Sequence, residues 1–183
     1  MVSLTFPSVI LTERLTLRRL KYEDAEEIFF TYASKPEATT FISWPTHTSI
    51  TDTKAFLKYA KAAWHNGTDF SFAIRLREND RMIGGFGVVN DGGKLQVGYI
   101  LGPLHWNKGY ATEACKTVTS LAKEMEDVYR IQSFVDADNV ASAKVLLKAG
   151  FEQEARLKLW FRFVNQNNAA KDCLHFYLPL LKQ

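Results

Sequence analysis

Residues 96–114 constrain the fold of this chain more than any other segment. They comprise an apolar strand, a break at Gly102-Pro103, a loop of small and polar residues, and the start of a helix. Such a junction leaves several backbone N–H groups without partners at the positive end of the helix dipole, where a phosphate is favoured. The segment is therefore a candidate anion-binding loop. The phosphate-binding signature G-x-x-x-x-G-K-[ST] is absent, and residues 84–87 do not complete G-x-G-x-x-G, which counts against two common nucleotide sites.

Hydrophobic periodicity predicts strands and helices on both sides of this segment. Apolar residues alternate with polar ones in seven predicted strands, at residues 14–20, 70–76, 82–89, 95–101, 130–135, 157–164 and 173–178. Helical spacing predicts four helices, one from Asp24 to its end at Pro36 and three near residues 49–67, 108–126 and 139–149. The order is a strand, two helices, an antiparallel meander, a βα unit and further strands. This order predicts one mixed α/β (α+β) domain over residues 1–183, without internal repeats.

Charge and cysteine content exclude several classes of protein. The chain of 183 residues carries a net charge of +3 with no run of basic residues, which counts against nucleic-acid binding. Cys115 and Cys173 cannot form a disulfide framework, and neither the cysteines nor the four histidines have metal-site spacing. No apolar run is long enough to span a membrane, and residues 1–10 do not resemble a signal peptide. We therefore expect a cytoplasmic protein without a metal site, and either a monomer or a homodimer.

Several motifs in order along the chain carry a resemblance to a known family. The loop sequence 106–111 corresponds to the pattern Q/R-x-x-G-x-G/A and continues into Thr112-Glu113-Ala114. An N-x-x-S helix ending in Gly150-Phe151 follows downstream, and the opening at residues 12–20 and the Trp44-Pro45 loop also match. The chain resembles the GCN5-related N-acetyltransferases (GNAT), and within them the ribosomal-protein N-acetyltransferase branch named RimJ/RimL. The resemblance spans nearly the whole chain and implies a sheet of about seven strands flanked by about four helices.

The resemblance implies that the protein binds acetyl-CoA. Backbone N–H groups of the 108–112 loop would hold the pyrophosphate, and the end of the preceding strand would pair with the pantetheine arm. The implied cofactor-binding residues are Ile100, Leu101, Trp106, Asn107, Lys108, Gly109, Tyr110, Ala111, Thr112, Asn139 and Ser142. For Gly109 and Ala111 the alternative is a tight strand-to-helix turn that binds nothing. For Asn139 and Ser142 the alternative is a role in capping the helix.

Acetyl transfer to an amine requires removal of a proton from the amine and protonation of the departing thiolate. Family members often place a Glu in the pattern E-x-G-Y on the strand before the cofactor loop, but Gln96 occupies that position here and cannot act as a base. The base is then another carboxylate, His47, His105 or solvent. By resemblance, Ser142 would protonate the thiolate. No Cys lies at the cofactor loop, which favours direct transfer over a covalent intermediate.

The loop between the first two helices carries the candidate substrate contacts Trp44 and His47. The alternative is that Trp44 packs at the edge of the core and that His47 lies on the surface. The expected acceptor is a primary amine, either a protein N-terminus or a small molecule. Two other functions stay open: a non-catalytic CoA-binding or sensing module, suggested by Gln96, Trp106 and Asn107, and a nucleotide-phosphate binder that uses the same loop.

Overall fold

The computed structural model describes residues 4–180. The first three and the last three residues of the expected domain lie outside the described residues, and so does the start of the segment that was compared with a signal peptide. One sheet of eight strands organises the described residues, in the order β1-β2-β3-β4-β5-β6-β8-β7. Only β5 and β6 are parallel neighbours, and all the other pairs are antiparallel. The strands are β1 (Val9–Leu11), β2 (Leu15–Arg19), β3 (Asp69–Leu76), β4 (Met82–Asp91), β5 (Lys94–Leu101), β6 (Arg130–Asp136), β7 (Glu152–Phe163) and β8 (Ala169–Leu178).

Within residues 4–180 five α-helices cover the sheet, and a 3₁₀ turn and a π-helical turn adjoin the first of them. The α-helices are α1 (Ala25–Ile28), α2 (Pro36–Thr39), α3 (Ile50–His65), α4 (Tyr110–Lys123) and α5 (Val140–Lys148). A 3₁₀ turn at Tyr22–Asp24 and a π-helical turn at Phe29–Ala33 flank α1, and a second 3₁₀ turn, Pro103–His105, follows β5. Helix α3 begins where its sequence predicts, because the Ser49 hydroxyl accepts from the Asp52 N–H and the Asp52 carboxylate accepts from the Ser49 N–H.

Two apolar cores lie on opposite faces of the sheet because strand residues alternate between faces. Phe70, Phe72 and Ile74 of β3 are buried in a large core with residues of α4 and α5. Ala73 faces the other way and packs with residues of α1 and α3. The meander between these layers is closed by Gly92 and Gly93, whose positive φ angles of 58° and 94° form the tight β4–β5 turn.

The mixed α/β class is confirmed, whereas several element boundaries differ from the prediction. The sheet has eight strands rather than seven, because β1 is a three-residue edge strand too short to show alternation. Pro36 was expected to end a helix but instead begins the one-turn α2. The N–H of a first helical residue has no acceptor within the helix, so proline loses no helical hydrogen bond there. Strand β7 begins at Glu152, before the predicted residue 157, since it lies at the edge of the sheet with an irregular register near residues 157–161. Within the part of the chain that the structure describes, no helix is long and apolar enough to cross a membrane.

Candidate active site

Strands β5 and β6 separate partway along their length. They are paired only at Lys94–Gln96, opposite Arg130–Gln132, whereas β5 remains paired with β4 through Leu101. At the point of divergence the Ser133 hydroxyl donates to the Val97 carbonyl over 2.9 Å. The rest of β5 therefore presents one edge without a strand partner, which an extended, amide-bearing ligand can pair with as an added strand.

A cleft of 540 Å³, here called the central cleft, opens at this divergence. It is lined by β3, β4, β5, β6 and α3, by the start of α5 and by the loop before α3. Six of the sequence-predicted site residues line it, namely Trp44, His47, Gln96, Ile100, Asn139 and Ser142. The structure thus brings together residues that are almost one hundred positions apart in the chain.

The floor of the central cleft contains several glycines. Gly85, Gly87 and Gly98 line it, and a Cβ atom added at Gly87 or Gly98 would meet no atom within 4 Å. A Cβ at Gly85 would lie 3.0 Å from the Tyr32 hydroxyl. Side chains at Gly87 and Gly98 would fill open space, so their absence keeps the floor of the cleft free for a ligand.

The remaining predicted cofactor residues do not line the cleft: Leu101 ends β5, residues 106–109 lie in the loop between β5 and α4, and residues 110–112 begin α4. Asn107 and Gly109 have left-handed backbones, with φ angles of 60° and 80°, and α4 begins directly after them without a side-chain cap. The first backbone bond back into this turn is from the Glu113 N–H to the Gly109 carbonyl, at 3.0 Å. The N–H groups of Tyr110, Ala111 and Thr112 lie in the first turn of α4, where a helix supplies them with no acceptor.

Arg14, which the sequence analysis did not single out, fixes this loop from the start of β2. Its guanidinium donates to the Lys108 carbonyl (3.0 Å) and to the Glu113 carboxylate (2.7 Å), and it lies 4.6 Å from the centre of the Tyr110 ring. Burial acts to raise the pKa of Glu113, but hydrogen bonds from Thr12 and Arg14 outweigh it and lower that pKa. The loop is held in shape by an ionised pair, so its N–H groups are positioned before any ligand binds.

Leu101 and Trp106, both predicted cofactor contacts, bind each other. The Trp106 indole N–H donates to the Leu101 carbonyl at 2.9 Å. Trp106 occupies the position of the motif's usual Gln or Arg, and here it closes the end of β5 onto the loop. The Leu101 carbonyl consequently has a partner within the chain.

Asn139 and Ser142 lie at the start of α5. The Asn139 side chain caps the helix by accepting from the Ser142 N–H at 3.1 Å, and the Ser142 hydroxyl lies 2.8 Å from the hydroxyl of Tyr99 on β5. The Tyr99 hydroxyl also donates to the Ser142 carbonyl at 3.0 Å, and burial raises its pKa. Tyr99 is therefore neutral and donates a hydrogen bond, and it forms with Ser142 a pair of hydroxyls at the cleft. Its sequence signal was its place in the Gln96-Val97-Gly98-Tyr99 pattern.

Trp44 and His47 line the central cleft from the loop before α3. The rings lie 5.1 Å apart, and the His47 Nδ1 atom is 2.8 Å from the Thr53 hydroxyl. Both residues are half-buried, and burial lowers the pKa of His47 against a weaker opposing effect of Asp52. Asn165, from the loop after β7, holds this segment by donating to the Trp44 carbonyl at 2.9 Å. Of the two candidate histidine bases, His47 lines the cleft and His105 does not.

Asp69 is, with Tyr99, a polar cleft residue that sequence reasoning missed. It begins β3, and its Cα pairs with Val89, which in turn pairs with Gln96, so the three side chains share one face of the sheet. Its carboxylate accepts from the Ser71 hydroxyl at 2.9 Å and from the Tyr59 hydroxyl at 3.5 Å. Burial raises the pKa of Asp69 more than these hydrogen bonds lower it. Only the polar face of residues 69–73, opposite the phenylalanines, signalled it in the sequence.

Two strands that separate, a loop with free N–H groups at a helix start and a pair of hydroxyls at the cleft fit an acyltransferase that uses a thioester. Residues 14–152 match the family described as "Acetyltransferase (GNAT) domain". The chain belongs to this family of N-acetyltransferases, whose cosubstrate is acetyl-CoA. The uncharacterized N-acetyltransferase p20 of Bacillus licheniformis is 31% identical over 150 residues, which cover 80% of this chain and 84% of p20.

Solved structures share the fold at low sequence identity. The microcin self-immunity acetyltransferase MccE, in complex with acetyl-CoA and AMP, superposes with a TM-score of 0.84 at 20% identity, covering 94% of this chain and 96% of MccE. RimL, a ribosomal-protein alpha-N-acetyltransferase in complex with coenzyme A, gives a TM-score of 0.84 at 16% identity, covering 92% of this chain and 96% of RimL. The predicted resemblance to the RimJ/RimL type is confirmed.

Proposed function

We propose that the protein transfers the acetyl group of acetyl-CoA directly to a primary amine, on either a protein N-terminus or a small molecule. One observation carries this proposal. The hydroxyl pair of Tyr99 and Ser142, the unpaired edge of β5 and the half-buried Trp44 and His47 all face one cleft. A thioester laid along β5 and an amine entering beside Trp44 would meet in that cleft.

The cofactor-binding residues of the sequence analysis fit acetyl-CoA chemically. Backbone N–H groups of residues 108–112, held by Arg14, suit the pyrophosphate, and β5 up to Ile100 supplies an edge for the pantetheine amides. Because the Leu101 carbonyl is already bonded to Trp106, Leu101 would contribute through its remaining backbone and side-chain atoms.

In the proposed reaction the neutral amine attacks the thioester carbonyl carbon, a new C–N bond forms, and the C–S bond breaks. The departing thiolate takes a proton from the Ser142 hydroxyl, which Tyr99 contacts, and the Ser142 oxygen regains a proton from solvent, so that the proton lost by the amine balances the one gained by the thiol. A free alkyl amine has a pKa of about 10.4, so a group in the cleft must accept its proton. Gln96 has no proton-accepting side chain at neutral pH, whereas His47 lines the cleft with a lowered pKa and is available as a neutral imidazole.

Direct transfer is supported by the state of the cysteines. Cys115 is fully buried, and burial raises its pKa to about 12. Cys173 is also buried, and burial is the main cause that raises its pKa to about 11. Neither thiol is an exposed thiolate, which a covalent acetyl-enzyme would require.

The second candidate is a CoA-binding module that does not catalyse transfer, which Gln96 favours. Released thiol, measured with acetyl-CoA and a panel of peptides and alkyl amines, separates the two functions. We expect thiol release with at least one primary amine, and a product whose mass increases by one acetyl group. The N,N-dimethylated form of each amine cannot give a stable amide and serves as the matched control. Binding of acetyl-CoA without turnover on any primary amine would contradict the proposal and support the module.

A further inference from the structure

The charge in the central cleft is concentrated on one side chain. Asp69 is the only carboxylate among its lining residues, and no Lys or Arg lines it. The other titratable groups that face it are His47 from the loop, Tyr59 from α3, Tyr99 from β5 and Tyr32 from the turn after α1. At neutral pH the three tyrosines are uncharged, because burial raises their pKa values further, and burial lowers the pKa of His47, which favours its neutral imidazole. The cleft is thus a largely apolar space with a single negative end.

Asp69 has hydrogen-bond donors but no cation. The Ser71 hydroxyl (2.9 Å) and the Tyr59 hydroxyl (3.5 Å) approach its two carboxylate oxygens. Within residues 4–180 no basic side chain forms an ion pair with it. Asp69 is half-buried, and withdrawing a carboxylate from water without a counter-charge is costly, which raises the pKa of Asp69. A ligand ammonium would supply the missing charge.

The position of Asp69 separates it from the place of reaction. Asp69, Val89 and Gln96 form one row across β3, β4 and β5. At a strand spacing of about 4.8 Å, the two ends of this row are about 10 Å apart. Val89 lies between these two ends, and Gly87 and Gly98 belong to the next row on the same face, where added side chains would meet nothing within 4 Å. An extended aliphatic chain can lie along this open floor, beside the aromatic rings of Trp44 and Phe56.

We propose that Asp69 binds a second positive charge of the acceptor, so that the preferred substrates are elongated diamines whose distal ammonium lies about 10 Å from the reacting nitrogen. This inference rests on the proposed function and specifies its acceptor. The reacting amine enters near Gln96 and Gly98, and the aliphatic chain crosses the glycine floor. The distal ammonium stays charged and donates hydrogen bonds to the Asp69 carboxylate, while Ser71 and Tyr59 hold that carboxylate in place.

The test compares hexamethylenediamine with hexylamine, which has the same chain but no distal charge. A charge-assisted hydrogen bond of this kind corresponds to about ten- to a hundredfold in kcat/KM in favour of the diamine. In Asp69→Asn the diamine should lose that advantage, while hexylamine is acetylated at the wild-type rate. A series from trimethylenediamine to decamethylenediamine should show an optimum in the wild type and none in the variant.

Three kinetic outcomes would overturn the inference. The wild type could fail to prefer the diamine over hexylamine, or could acetylate only peptide N-termini. Asp69→Asn could lower both rates equally, which would place Asp69 at the reacting nitrogen. If no amine is acetylated at all, the proposed function fails separately. Calorimetry then measures the binding of hexamethylenediamine to the CoA-bound protein, which tests the role of Asp69 without turnover. We expect this binding to be lost in Asp69→Asn. Equal binding by the wild type and the variant would overturn the inference.

Discussion

At the scale of single residues, the central cleft contains a carboxylate, that of Asp69, which costs the folded state stability and which a ligand can contact. Asp69 keeps its hydrogen bonds to Ser71 and Tyr59, yet burial raises its pKa. A folded state that raises a carboxyl pKa binds that proton more tightly than the unfolded chain does. The contribution of Asp69 to stability is therefore fully present below its unfolded pKa and is lost as the pH rises through its folded pKa. Active sites commonly sacrifice stability in this way.

Asp69→Asn should consequently unfold at a higher temperature than the wild type at neutral pH. The amide has no charge to bury, and its oxygen can still accept from the Ser71 hydroxyl. This advantage should shrink as the pH falls through the raised pKa of Asp69, because the wild-type carboxyl is then neutral as well. Thermal unfolding of both proteins at a series of pH values measures the difference.

Asp52→Asn is the matched control of opposite sign. The N–H groups of Thr48 and Ser49 donate to the Asp52 carboxylate, and these bonds lower its pKa. Asp52→Asn should therefore destabilise the protein at neutral pH, and the loss should fade at low pH. An Asp69→Asn protein less stable than the wild type at neutral pH would contradict our account of the buried charge.

The hydroxyl pair of Tyr99 and Ser142 gives a second prediction at this scale. Tyr99→Phe and Ser142→Ala should each lower kcat by about 100-fold, because the thiolate then leaves without a positioned proton donor. The KM for acetyl-CoA should change little. The double variant should be hardly slower than either single variant, since the two hydroxyls act through one hydrogen bond of 2.8 Å. Steady-state kinetics checks all three variants, and fully additive losses would show that the hydroxyls act independently.

At the scale of helices and strands, regular periodicity determined what could be predicted. The alternating meander and the Ser49-capped α3 followed directly from residue patterns. Strand β1 and helix α2 are three and four residues long, so neither repeats its period often enough to be recognised. Near the β7 irregularity, Leu159 has a φ angle of 48°, which interrupts the alternation that a strand prediction depends on.

The site residues likewise divide into those that a contiguous motif identifies and those that only contacts between elements bring together. The loop before α4 and the N-x-x-S helix are contiguous motifs, so their residues could be named from the sequence. Asp69 could not, because it is brought into line with Gln96 only by the register of β3 on β4 and of β4 on β5. The pair of Tyr99 and Ser142 likewise depends on the packing of α5 against the parted end of β5. Both are contacts between elements, which periodicity within one element does not encode.

For the whole molecule, acetyl-CoA binding should appear as a gain in global stability. A ligand at one hundred times its Kd adds about 2.7 kcal/mol to the free energy of unfolding, because it binds the folded state only. We expect acetyl-CoA and CoA to raise the melting temperature and ATP to leave it unchanged. A shift with ATP as large as that with acetyl-CoA would instead favour a nucleotide-phosphate binder.

The variant Gly109→Val tests whether the stability gained with acetyl-CoA depends on pyrophosphate binding at the loop before α4. Gly109 has a φ angle of 80°, so a side chain forces the loop away from the shape that directs its N–H groups outward. Gly92→Val is the matched control, since Gly92 also has a positive φ of 58° but lies in the β4–β5 turn, where a Cβ meets nothing within 4 Å. Both variants should lose about 1–2 kcal/mol of stability through backbone strain. Only Gly109→Val should also lose the shift caused by acetyl-CoA. An undiminished shift in Gly109→Val would place the pyrophosphate elsewhere, and a lost shift in both variants would trace the effect to general destabilisation.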